Sequence, residues 1–380
     1  MSGGSANEDS AHEDSAHEGG AHEGTAHEGT AHEGTAHEGT AHEGTAHEGT
    51  AHEGTAHRHC GGASPTAARL HELVEGVHAW IQPDGTWWIN NAGAVIGSDA
   101  AMVIDTCATE ERTRRFLAAV GEAAGSRPIR VAANTHDHGD HTHGNSLLPS
   151  DAVLMGHEST RRRMLRDPTI DAGPRQWDPV PDWGNVRRRP PTIVTRSELT
   201  VYAGDRRVDL LHPGRAAHTR GDLVAWLSDE RILFAGDLVF HGLTPLVFAG
   251  SVRGALESLD WLAGFGADWI VPGHGPIVGR AAIESVIADH ERYYRFVLRT
   301  AELGRQEGLS MLETAQQADL GEFAAWADAE RLVLNLHRAD AESAGGSMDV
   351  DRAFSDAIVW NGGPLTTHVC CRPDAAPPMA

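Results

Sequence analysis

The segment from Asn134 to Asn145 constrains this chain more than any other. It reads Asn134-Thr135-His136-Asp137-His138-Gly139-Asp140-His141-Thr142-His143-Gly144-Asn145 and directly follows the apolar run Ile129–Ala133. That run has the length and composition of a buried strand. A strand that empties into a dense cluster of imidazoles and carboxylates is a poor way to fill a core, because these groups lose hydration on burial. It is a good way to fix metal ligands at the rim of a sheet. His136 and His138 are two apart, so in an extended segment they point the same way and can share one ion. Asp140 and His141, one step on through Gly139, can turn toward a second.

Three later strand-like runs lead to the same residue types. His218 precedes Thr219-Arg220-Gly221-Asp222 and the strand Leu223–Leu227. Arg231–Ala235 ends in Gly236-Asp237, and Trp269–Val271 ends in Pro272-Gly273-His274-Gly275. Strand ends converging on one sheet edge make an active-site rim. Imidazole and carboxylate are the ligands Zn²⁺ uses where a position stays open for water. A pair of such ions can bridge a hydroxide at neutral pH, polarise a carbonyl or phosphoryl oxygen and hold a leaving group. No Ser or Cys nucleophile is then needed.

Around these motifs the chain reads as mixed α/β. Val77–Ile81 and Thr86–Ile89 form a predicted hairpin across the turn Pro83-Asp84-Gly85. Short strands follow at 94–96 and 101–105, then a helix over 110–124 with Phe116, Leu117 and Val120 on one face. Residues 151–190 carry frequent Pro and Gly and two arginine runs, 161–163 and 187–189, and read as loop or lid. Strands return at 199–202 and 208–212, and a helix at 252–265. From 281 the pattern is helical: 281–303, 311–318, 322–339 and 349–360.

Composition limits the partners. The formal net charge is −23, about half of it in the first sixty residues. So acidic a chain is a poor non-specific partner for nucleic acid or an anionic membrane. Four cysteines, Cys60, Cys107, Cys370 and Cys371, are too few and scattered for a disulfide framework and suit a reducing cytoplasm. No apolar run reaches membrane-spanning length, and the N-terminus lacks the basic and apolar regions of a secretory signal. Residues 6–57 repeat with a period of five and settle into seven copies of Ala-His-Glu-Gly-Thr between Ala21 and Thr55. That period matches neither helix nor strand, and the repeat holds no large apolar side chain, so residues 1–64 are expected to be disordered. Its histidines, ending in His57-Arg58-His59-Cys60, form either a neutral repeat expansion or a metal-gathering tail.

The residues assembled above resemble the metallo-β-lactamase-fold hydrolase superfamily. His136-Asp137-His138-Gly139-Asp140-His141 fits its H-x-H-x-D-H signature. His218, Asp237 and His274 fit the three later ligand motifs in order, and the resemblance covers about residues 70–280. It implies a four-layer αββα sandwich at 65–280, with residues 281–380 as a helical C-terminal extension packed on it. By the family pattern His136, His138 and His218 hold one ion. Asp140, His141 and His274 hold the other, and Asp237 bridges. Two Zn²⁺ are implied, with Fe or Mn as substitutes. Asp140 also steers the bridging hydroxide or relays a proton.

The resemblance narrows the reaction to ester, thioester or lactone hydrolysis. The best-known class of true β-lactamases has a cysteine where Asp237 stands. Asp237 instead resembles the arrangement in glyoxalase II, lactonases and thioesterase-like members. Persulfide dioxygenases place one iron on the equivalents of His136, His218 and Asp237, so an iron-dependent oxygenase is the alternative. Asp105, at a strand end, matches a family carboxylate that hydrogen-bonds a ligand histidine. Trp88 and His241 are candidate substrate contacts. His143 reads as an exposed loop residue. The arginine runs can attract a small anionic or thioester-linked substrate such as a CoA or carrier-protein thioester. The C-terminal helices shape the pocket or form a homodimer face.

Overall fold

Alternation of inward and outward side chains sorts the first half of the chain into one sheet. The computed structural model describes residues 67–172 and 174–369. The pentapeptide repeat, Cys60 and the Cys370-Cys371 pair lie outside those residues. The first sheet contains β1 (Arg69–Val74), β2 (Val77–Ile81), β3 (Ala92–Ile96), β4 (Ala101–Ile104), β5 (Ile129–Ala133), β6 (Val153–His157) and β7 (Ile193–Thr195), side by side in that order. Strands β1 to β4 form an antiparallel meander, whereas β4 to β7 pair in parallel. Parallel neighbours need crossover connections. Helix α1 (Glu110–Ala124) supplies the first. The short helices α2 (Gly139–Thr142) and α3 (Glu158–Met164) lie in the next two.

The second sheet holds β8 (Glu198–Ala203), β9 (Arg206–Leu211), β10 (Val224–Leu227), β11 (Ile232–Phe240), β12 (Trp269–His274) and β13 (Val278–Gly279), in the spatial order β13-β12-β11-β10-β9-β8. Only β11 and β12 pair in parallel, joined through α4 (Val252–Gly264). Four further helices follow: α5 (Arg280–Gln306), α6 (Met311–Gln317), α7 (Arg331–Ser343) and α8 (Val350–Asn361).

Three apolar clusters stack these parts into four layers. Between the sheets, Val77, Ala79, Ile81 and Ile104 meet Leu210, Leu227, Ile232 and Phe234. On the outer face of the first sheet, Trp80 and Val103 receive Phe116 and Val120 of α1. Each side chain buried this fully stabilises the fold by roughly 1.5–3 kcal/mol. Thr109 starts α1, its hydroxyl accepting from the Arg112 amide, and Gly125 ends it at positive φ. On the outer face of the second sheet, Leu233 and Ile270 pack against Leu259 of α4, Tyr294 of α5 and Leu332 of α7. Buried polar contacts tie this helical layer down: Asn335 Oδ1 accepts from the Val247 amide at 2.6 Å, and its Nδ2 donates to Tyr293 Oη at 2.8 Å. No helix among the described residues is long and apolar enough to cross a membrane.

Several local expectations change. Thr86–Ile89 is a turn, not a strand, with Trp88 at φ 69°, and β2 takes β3 as its partner. The aromatic pair mimicked a strand by composition, whereas the backbone reverses there. Residues 151–190 contain β6 and α3 before the irregular stretch begins. The predicted helix over 322–339 is a 3₁₀ turn, Gly321–Ala325, followed by α7 from Arg331. It breaks where Ala327 bridges to Leu243 and Asp328 takes φ 55°.

Candidate metal centre

The loops at one edge of the sandwich bring seven donor residues together. His136 and His138 follow β5, while Asp140 and His141 lie on α2. His218 comes from the loop between β9 and β10, and Asp237 stands inside β11, three residues before its end. His274 closes β12. They form two groups, His136/His138/His218/Asp237 and Asp140/His141/His274. In each, the donor atoms lie within 4.8 Å of one another. Asp237 is central to both: its carboxylate lies 3.2 Å from His218 Nε2, 3.1 Å from His141 Nε2, 3.4 Å from His274 Nε2 and 3.7 Å from His136 Nε2. Asp140 Oδ2 is 3.1 Å from His274 Nε2. Tight backbone contact seats Asp237, since a Cβ on Gly273 would stand 1.8 Å from its Oδ1.

The far sides of the rings explain which way the lone pairs face. His218 Nδ1 donates to the Leu246 carbonyl at 2.6 Å, and His274 Nδ1 to the Gly85 carbonyl at 2.8 Å. His141 Nδ1 donates to Asp105 Oδ2 at 2.8 Å. His136 Nδ1 lies 3.0 Å from Thr135 Oγ1, which itself donates to Asp105 Oδ2 at 2.7 Å. Each of these four rings turns Nδ1 to an oxygen, which leaves Nε2 facing the centre as the atom that would bind an ion. His138 is turned the other way, its Nδ1 2.8 Å from His218 Nε2 and its ring stacked on Phe248. His136 Nε2, His141 Nε2 and Asp237 Oδ1 are buried with no hydrogen-bond partner. Buried polar atoms are normally satisfied. Orphaned lone pairs converging on anionic oxygen fit divalent cations, and a nitrogen-oxygen set without thiolate fits zinc, with iron and manganese as neighbours in preference.

Electrostatics follow from this crowding. Burial opposes ionisation of Asp237, but the imidazoles of His274, His141, His218 and His136 outweigh it and hold the carboxyl well below the usual range. Burial likewise works against Asp140, and His141 and His274 hold it low. His136 and His138 are driven well below the ordinary histidine value by burial and by neighbouring imidazoles. Burial also disfavours charge on His274, yet Asp237 and Asp140 raise it to about 9. His141 is raised well above its ordinary value, with Asp237, Asp140 and Asp105 overcoming burial. Metal must displace these protons to bind.

The other sequence candidates fall in different places. Asp105, at φ 60° just after β4, accepts from the Thr135 amide at 2.7 Å as well as from Thr135 Oγ1 and His141. Trp88 lines a cavity of about 1010 Å³ that opens onto His138, Asp140, Asp237 and His274. His241 does not line that cavity; its Nδ1 contacts the Pro276 carbonyl at 3.0 Å. His143 is buried, not exposed, with Nε2 3.2 Å from Asp167 Oδ2 and its ring against Trp88 and Trp183. Asp137 is in neither donor group, because its Oδ2 accepts from Arg163 Nε at 2.6 Å. Cys107 is buried, its thiol pushed up to about 11 by desolvation, and is also in neither group.

The cavity wall holds residues that the sequence did not single out. One side is aromatic: Trp177, Phe240, Phe248 and Phe354 join the Trp87–Trp88 pair. Arg331 of α7 is 1% exposed, its guanidinium 4.5 Å above the Trp87 ring, and it donates to the Thr244 carbonyl at 3.0 Å. Trp87 Nε1 donates to Glu330 at 2.6 Å. Of the two arginine runs, only 161–163 reaches the cavity, through Arg162 and Arg163. Arg189 instead donates to backbone carbonyls of Asn145, Leu148, Pro149 and Ala152.

Comparison with known proteins agrees with this geometry. Human acyl-coenzyme A thioesterase MBLAC2 is 28% identical over 225 residues, covering 50% of this chain and 78% of that protein. Metallo-beta-lactamase type 2 of Pseudomonas aeruginosa is 24% identical over 190 residues, covering 49% of this chain and 68% of that protein. Among solved structures, the stereoselective inverting sec-alkylsulfatase Pisa1 from Pseudomonas sp. superimposes with a TM-score of 0.55 at 16% identity. The match covers 75% of this chain and 51% of that one, and it speaks for the fold alone. The profile of the metallo-beta-lactamase superfamily matches residues 85–274, from the turn that carries Trp87 and Trp88 to the last donor histidine. The chain belongs to the metallo-β-lactamase superfamily and is a hydrolase of that superfamily.

Proposed function

We propose that this hydrolase cleaves an acyl thioester, the foremost of an ester, thioester and lactone group, with two divalent metal ions in the paired donor groups. The observation that carries the reading is the position of Asp237 between both groups on the floor of a cavity with an aromatic wall. The similarity to an acyl-coenzyme A thioesterase supports the choice of thioester. In this reading His136, His138 and His218 hold one ion, Asp140, His141 and His274 the other, and Asp237 both. When bound, two divalent ions would supply a nucleophile from water at neutral pH and polarise the acyl carbonyl.

The chain's own residues do the rest. Asp140 lines the cavity, and in this reading its carboxylate steers the attacking water or relays its proton. Trp88, Trp177 and Phe248 give the acyl chain an apolar wall and keep bulk water off the floor. Hydrolysis forms a carbon–oxygen bond from water, breaks the carbon–sulfur bond, and releases a carboxylic acid and a thiol. A one-iron oxygenase would need only His136, His218 and Asp237. The second group, with Asp105 behind His141, supports the two-ion reading.

The test is metal analysis of tag-free protein followed by turnover on thioesters, aryl esters, lactones and β-lactams, beside Asp237→Ala. Thioester hydrolysis that tracks metal content and is lost in Asp237→Ala is expected. Full metal and activity in that variant would sink the assignment. Oxygen consumption by iron-loaded protein, without hydrolysis, would move it to the oxygenase class.

A further inference from the structure

Six guanidinium groups line the cavity: Arg162, Arg163, Arg166, Arg175, Arg220 and Arg331. The chain contains no lysine, so guanidinium is the permanent side-chain cation throughout. Two of the six are committed, Arg163 to Asp137 and Arg331 to Asp328, each at 2.6 Å. The other four are exposed, and none forms an ion pair with a carboxylate among the described residues. Arg162 donates only to Ser159 Oγ, at 3.0 Å. The carboxylates of the lining do not neutralise them. Asp140 and Asp237 belong to the donor groups, Asp137 holds Arg163, and Asp167 takes His143 and Thr169. Asp351, in the first turn of α8, is left.

Elsewhere this acidic surface does what its charge dictates. Arg130 sits on Asp151, Arg196 on Glu158, Arg207 on Asp209, Arg215 on Glu257 and Arg292 on Glu322. Four guanidinium groups around one opening, none in an ion pair among the described residues and in a chain of net charge −23, make a local positive funnel. We infer that the cavity mouth binds a multiply charged phosphate handle on the leaving-group side of the substrate, through Arg162, Arg166, Arg175 and Arg220. The inference rests on the thioester reading, because the apolar wall takes the acyl group and leaves the thiol side facing the arginines. Guanidinium forks match phosphate oxygens two at a time. Four of them exceed what the single charge of a carboxylate or sulfate ester needs, which favours a handle with more than one phosphate.

The test is calorimetric titration of the metal-loaded full chain with adenosine 3′,5′-bisphosphate, a probe with no thiol and no scissile acyl bond, and with inorganic phosphate. The bisphosphate is expected to bind more tightly than phosphate and to weaken as salt rises. In Arg162→Gln/Arg166→Gln and in Arg220→Gln its affinity should fall at least about tenfold. Arg130→Gln should bind it as the parent does. Binding should survive in Asp237→Ala, which keeps the handle apart from the metal centre. Equal binding by parent and mouth variants, equal binding of phosphate and bisphosphate, or loss in Asp237→Ala would each overturn the inference. The titration needs no turnover. Failure of the thioester reading therefore appears as absent hydrolysis, and failure of this inference as absent binding with hydrolysis intact.

Discussion

The floor and the mouth of one cavity are built on opposite plans. On the floor, Nδ1 of His136, His141, His218 and His274 each meets a defined oxygen, and the direction in which each Nε2 faces is fixed before any ion arrives. At the mouth, Arg162, Arg166, Arg175 and Arg220 are exposed and form no ion pair with a carboxylate among the described residues. A small hard cation tolerates little misplacement of its ligands, so its donors are held in place. A flexible charged handle is met by mobile cations that act at longer range. The difference separates what sets the chemistry from what selects the molecule.

The sharpest way to break the floor is Asp237→Ala, which removes the carboxylate that lies between the two groups. Activity should fall to background and metal content should drop, with the far-UV circular dichroism of the fold retained. Acid comes next. His274 is raised to about 9 and His141 well above its ordinary value, so the metal-free protein holds protons on the two Nε2 atoms that metal requires. Zinc addition should therefore release protons below about pH 9, and affinity should fall up to about tenfold per pH unit for each proton displaced. Zinc titrations across pH 6 to 9 check the sign; a flat profile would contradict it. Asp105→Asn keeps the size and loses the charge behind His141 and Thr135. It should weaken metal affinity or activity by about 10–100-fold, measured at limiting zinc.

On the wall, Trp177→Ala should lower kcat/KM for long acyl chains by about tenfold and leave short ones nearly unchanged. A uniform loss across chain lengths would argue against an acyl-binding wall. The smallest effect belongs to a paired surface arginine. Arg130→Ala should cost about 0–1 kcal/mol of stability by denaturant unfolding and leave turnover alone, since both members of the Arg130–Asp151 pair are exposed.

The floor was legible in the sequence because each donor sits in a short motif beside an apolar run, and strands deliver such motifs to one edge. The long periodic helices over 110–124, 252–265 and 281–303 were legible for a related reason, since periodicity survives without tertiary context. The wall was not. Arg331, Phe354 and Trp177 come from segments far apart in the chain, and which face of α7 or α8 covers the site is decided by packing on the second sheet. Trp87 and Trp88 carried strand propensity, yet the turn that places them depends on contacts with Thr367 and Glu330, about 280 and 243 residues away. His143 looked exposed until the segment carrying Asp167 and Thr169 folded over it. His241 shows the reverse: a loop histidine near Asp237 in sequence whose ring turns to the Pro276 carbonyl.

Asp105 carries one more consequence. Its carboxylate holds His141 of one donor group directly, and His136 of the other through Thr135. The two donor groups are thereby linked through a single residue in a left-handed backbone conformation. Evolution cannot retune one position at this residue without disturbing its neighbour. Filling either group should stiffen the other, so zinc should load as a cooperative pair, with a titration curve steeper than that of two independent sites.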